Sequence, residues 1–166
     1  NTLREKYGLY PESFGGSCVE QAVTSFALGV RRYGPEFDRD EARELVLECA
    51  KILQKFVNED PELRKFLIHY PFPIEGIHMM ILNSYPTGYE HDHPGIAVVS
   101  CGDGRLLYST ESSEDRKKYR FTCEYEESYE EAVEIVKKQQ RARHAALGMV
   151  CPETISPPSE ETLKTR

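Results

Sequence analysis

Residues 14–34 read FGGSCVEQAVTSFALGVRRYG, and the period assigned to them decides the fold. Val19, Ala22, Val23, Phe26, Ala27 and Val30 fall at i, i+3, i+4, i+7, i+8 and i+11, the spacing of one apolar helical stripe. Ser17 with Glu20 three residues on has the pattern of a capping box. The stretch is therefore expected to form a helix from about Ser17 to Tyr33, ended by Gly34-Pro35. Cys18 then falls in the first turn of that helix, behind two glycines.

Further helices are expected from about Asp40 to Asn58, on a stripe of Ala42, Leu45, Val46, Cys49, Ile52, Leu53 and Phe56, and from Pro61 to about His69. The period changes after Pro73. Ile77–Asn83 is a near-continuous apolar run, the mark of a strand buried on both faces. Gly95–Cys101 and Arg105–Thr110 flank Gly102-Asp103-Gly104, a hairpin signal. Tyr119–Tyr125 alternates as a half-wet strand. Ser128 with Glu131 caps a last helix running to about Leu147, stopped by Gly148. The expected architecture is α+β: three N-terminal helices, a four-stranded mainly antiparallel sheet and one long C-terminal helix. Residues 1–150 are expected to be a single domain and 151–166 a disordered tail.

Composition narrows the function classes. The 166 residues carry 28 acidic and 21 basic side chains, a net charge of −7, which argues against nucleic acid as a partner. No apolar run approaches the ~18 residues a membrane span needs. The five cysteines include no Cys-x-x-Cys clip, which favours a reducing compartment over a disulfide framework. The first residue is Asn1, which fits either a removed signal peptide or an arbitrary boundary.

A helix start lowers a thiol's pKa and offers N–H groups to an oxyanion, so Cys18 is a candidate nucleophile with its own amide in the oxyanion hole. His93, at the start of a strand, is the candidate base. If Asp103-Gly104 makes a two-residue turn, paired residues sum to about 207 and Glu114 returns opposite His93. With a three-residue turn the sum is about 206, and Glu111 comes to the same side as His93.

On these residues the chain resembles the papain-like and transglutaminase-like superfamily. GGSC before an amphipathic helix is similar to the nucleophile segment of papain-type proteases, and GGSCVE to that of arylamine N-acetyltransferases. HPGIAVVSCGDGRLLYST resembles the histidine hairpin of small bacterial peptidoglycan hydrolases. The resemblance implies amide hydrolysis or acyl transfer through a thioester, with no cofactor and a protein or peptide substrate. Glu12 stands where papain-type enzymes place a glutamine donor, Val19 where they place an aromatic, and Ala22 where the acetyltransferases carry asparagine. Those departures suit a second reading, a non-catalytic protein-binding or accessory module of the same architecture. A third reading is a metal site on His91 and His93, completed by His78 or His69.

Overall fold

The computed structural model describes residues 2–118 and 120–147. The expected tail, its Cys151 and the Gly148 stop lie outside the described residues, as does Tyr119.

The architecture is α+β, but the sheet has six strands and is mixed. After a short helix α1 (Thr2–Tyr7) come β1 (Leu9–Val19) and β2 (Ala22–Tyr33), then α2 (Arg39–Glu59) and β3 (Ile77–Ser84). β4 (Val98–Gly102), β5 (Arg105–Thr110), the short α3 (Ser113–Lys117), β6 (Thr122–Ser128) and α4 (Tyr129–Ala146) follow. The strands lie in sequence order; β2 and β3 are parallel and all other neighbours antiparallel.

The expectation of three N-terminal helices above a four-stranded sheet is therefore corrected, and the correction lies in residues 14–34. They form a β-hairpin, not a helix. Phe26, Leu28 and Val30 read equally well at period 2, and that reading places all three on the face that receives the helices. Three local preferences favour the strand. Val19, Val23, Thr24 and Val30 are β-branched. Gly29 in mid-helix would cost roughly 1 kcal/mol. A Cβ on Gly16 would overlap the Ser25 carbonyl oxygen, so this glycine permits close strand approach rather than substrate access. Glu20 (φ 49°) and Gln21 (φ 70°) make the connecting turn, both left-handed.

The remaining expectations fare differently by element. α2 is capped by a reciprocal Asp38–Glu41 box and α4 by the Ser128–Glu131 box read from the sequence. The expected third helix is only a 3-10 turn, Leu63–Phe66. The β4–β5 connection is the two-residue turn, with Asp103 (φ 49°) and Gly104 (φ 73°) and pairs such as Val98↔Ser109.

All the packing helices lie on one face. α2 contacts β3 and β4, α4 contacts β5 and β6, and α1 contacts β1. The core between them holds Val30, Ile77, Met79, Ile81, Val99 and Leu106 from the sheet against Ala42, Val46, Ala50 and Val136 from the helices. A buried cluster ties α2 to the far side of the sheet. Arg43 Nε donates to Glu127 Oε1 at 2.7 Å, with side chains 4% and 2% exposed. The Tyr108 hydroxyl donates to the same oxygen, and Arg43 also bonds Asp40. Burial opposes the Arg43 charge, but its bonds to Glu127 and Asp40 outweigh that and hold its pKa above the ordinary value. Burial, then the bond to Glu127, pushes the Tyr108 hydroxyl up.

Candidate functional site

The structure does not bring Cys18 and His93 together. Cys18 pairs with Val23 beside the hairpin turn, exposed, on a strand rather than at a helix start. It therefore has neither helix N–H groups nor a helix dipole. His93 lies at the other end of the sheet. Its N–H donates to Glu111 O at 2.9 Å, and neighbouring His91 contacts Gly34 O, just past the end of β2. From Val23 to Tyr33 is ten strand residues, or about 33 Å at the extended rise. A thiol and its base must approach to within hydrogen-bond reach.

The acids separate as well. Glu111 does return beside His93, through its backbone, but its carboxylate accepts from Arg116 Nε at 2.7 Å. β5 ends at Thr110, so Glu114 falls on α3, exposed and paired with Lys117 at 2.8 Å. The Glu124 carboxylate lies 4.0 Å from the His93 ring at Nε2. Those two groups line an open cleft of about 370 Å³ with Glu36, Arg39 and Tyr125, and the Arg39 guanidinium stacks 3.8 Å over the Tyr125 ring.

The two loop histidines also part. His91 is buried, stacked on Tyr85, with Nε2 3.0 Å from Gly34 O; His93 is turned to solvent. Among the described residues no group of three or more His, Cys, Asp or Glu side chains is arranged to hold a metal. His78 faces Asp103 at 3.8 Å instead.

The feature that the sequence analysis missed lies on the helix face, beside α2. α4 and α2 cover the sheet from β6 to β3, and α1 packs on β1. Between α2, α1 and the β1–β2 hairpin lies an apolar slot of about 510 Å³. Leu9, Pro11 and Leu28 form its floor; Ile52, Leu53 and Phe56 form the α2 wall; Leu3 and Arg4 close one end. Phe14, opposite Leu28 across the hairpin, lies outside that lining and is 94% exposed. Phe56 is 62% exposed. Exposed apolar side chains are common singly, but a contiguous concave cluster marks an interaction surface.

A signal for this slot was present in the sequence. The α2 stripe was counted as one core face, yet Ile52 and Phe56 lie on the opposite flank of the helix from Arg43 and Leu47, which are buried. An apolar arc that wide exceeds what one sheet covers.

Comparison of the chain with family models, with curated proteins and with solved structures finds no match.

Proposed function

We propose that this chain is a non-catalytic protein-binding module whose recognition surface is the apolar slot between α2 and the β1–β2 hairpin. The observation that carries the reading is the apolar concavity of about 510 Å³ itself, in which Phe56 stands 62% exposed beside Ile52, Leu53, Leu28 and Pro11. The net charge of −7 supports a protein rather than a nucleic acid as partner. No described helix is long and apolar enough to cross a membrane.

Thioester chemistry finds less support. His93 lies a sheet length away from Cys18, and the departures at Glu12, Val19 and Ala22 agree with a chain that does not use it as a nucleophile.

A photo-crosslinking amino acid at position 56 tests the reading. In extracts of the source cells it should give a discrete adduct that is lost when Pro11→Asp, on the slot floor, is added. A crosslinker at Lys138, on α4, should not give that adduct. Absence of any position-56 adduct that depends on Pro11 rejects the proposal.

A further inference from the structure

A buried imidazole joins the connection between β3 and β4 to the entry of α2. His91 is 1% exposed and stacks on Tyr85, with ring centroids 3.9 Å apart. Its backbone N–H donates to Asn83 O at 3.1 Å, and the Gly34 N–H donates to Ser84 O at 3.1 Å. The ring therefore sits where the end of β2 meets the end of β3.

A carbonyl decides the tautomer. Nε2 lies 3.0 Å from Gly34 O, and a carbonyl oxygen only accepts, so Nε2 carries the ring proton. Nδ1 is then a lone pair. It is closed to water and has no hydrogen-bond partner among the described residues. It faces Glu36 Oε1, 3.8 Å away, on the segment that leads into α2. Two acceptors thus oppose each other across a gap too long for a hydrogen bond, and the donor that fits between them is a proton. A buried acceptor left without a partner disfavours the neutral ring. An imidazolium would instead donate its Nδ1–H to the carboxylate, a charge-assisted bond.

Among the other charges near the ring, two acids are already engaged. Glu90 is paired with Arg31 at 2.8 Å and Asp92 with Arg116 at 3.0 Å. Arg32 opposes a second positive charge, since its guanidinium is anchored at this end of β2 and β3 by Pro35 O at 2.6 Å and Asn83 Oδ1 at 2.8 Å. Tyr85 presents its ring face. Glu36 has a side chain 57% exposed and so has room to move. It also lines the cleft of about 370 Å³ that His93 and Glu124 share.

We propose that His91 and Glu36 form an acid-closed latch. A second proton on the buried ring draws the Glu36 carboxylate onto Nδ1, which binds the β3–β4 connection to the start of α2 and neutralises one acid of the cleft. The bond exists while the ring holds both protons and is lost as pH rises through the imidazole titration. Glu36 precedes α2, whereas Phe56 lies in its last turn, so the latch adds to the binding reading without depending on it.

Nuclear magnetic resonance on the isotope-labelled full chain tests it, with each histidine's ring nitrogens followed from about pH 8 to about pH 5. At the upper end His91 should carry its proton on Nε2. On acidification Nδ1 should take up the second one. Glu36→Gln should lower the proton affinity of Nδ1 by at least about threefold, because an amide removes the carboxylate charge and can itself donate to Nδ1. Glu36 is exposed enough for that variant to keep the fold. His78, which faces Asp103, is the control and should titrate alike in both chains. Near the acid end, the amide protons of Gly34 and His91 should exchange more slowly in wild type than in Glu36→Gln, and that difference should not persist at the upper end. A proton on Nδ1 at the upper end would overturn the latch. So would a ring still singly protonated at the acid end, or a proton affinity and amide exchange unchanged by Glu36→Gln.

Discussion

Replacing Arg43 with methionine isolates the tie that fixes α2, and with it one wall of the slot, to the sheet. At 2.7 Å and an effective dielectric of about 20, the attraction between Arg43 and Glu127 is about 6 kcal/mol. Desolvation of each ion removes several kcal/mol, so the intact pair adds little net stability. Removing one partner is a different matter. The Glu127 carboxylate would stay buried with only the Tyr108 hydroxyl, and its Oε2 already has no hydrogen-bond partner. The expected loss is about 3–5 kcal/mol. Most domains have about 5–15 kcal/mol in total, so this is a large share. Urea unfolding followed by far-ultraviolet circular dichroism reads it as a fall in midpoint at unchanged slope. The triple variant Arg43→Met/Glu127→Leu/Tyr108→Phe removes every buried polar member of the cluster and leaves only the exposed Asp40, and should return to within about 2 kcal/mol of wild type. The reasoning fails if Arg43→Met costs less than about 1 kcal/mol, or if the triple variant is no more stable than that single one.

Other expectations follow from particular geometries. Gln21→Gly should stabilise the chain by about 1 kcal/mol, since Gln21 holds φ 70° in the β1–β2 turn, and should raise Tm by about 2–4 °C in a thermal scan. Iodoacetamide at pH 8 should label Cys18 and Cys123, which are exposed, and spare Cys49 and Cys101 until unfolding, because burial pushes both of those thiols up to about 12. Site-resolved mass spectrometry checks this, and prompt labelling of Cys49 in the native protein would contradict the packing of α2. The Ser128 N–H, then its hydroxyl, holds the Glu131 carboxylate below its ordinary range. A depressed folded pKa gives stability that is complete above the unfolded value of about 4.3 and is lost as pH falls through the folded one. Glu131→Gln should therefore flatten the acid limb of the stability curve below about pH 4, and an unchanged limb would refute the assignment.

How far the chain could be read from its residues depended on how local each signal was. Asp103-Gly104 specifies a tight hairpin because both positions must adopt positive φ, and the strands on either side pair as that turn requires. Ser128 with Glu131, and the apolar run of β3, are equally local, and the elements they mark formed near their expected boundaries. Residues 14–34 carry two periods at once. Phe26 and Val30 serve a helical stripe and a strand face alike, and within the expected helix Gly29 alone is a poor helix former beyond the β-branched residues. The expected site rested on that one choice. Once Cys18 lies on a strand, the distance to His93 becomes the length of the sheet.

The sequence by itself determined the α+β class, the capped helices α2 and α4, the run of strands from Ile77 onward and the acidic surface. Each of these is set by neighbours within one or two turns of chain. Tertiary structure alone decided the rest. It chose period 2 for the first hairpin because that pairing lets β2 lie beside β3 and bury Val30 beneath helices. It also left Phe56 exposed in an apolar slot between α2 and β1. Burial is a property of which elements meet, and residues more than forty positions apart carry no local signal that they will.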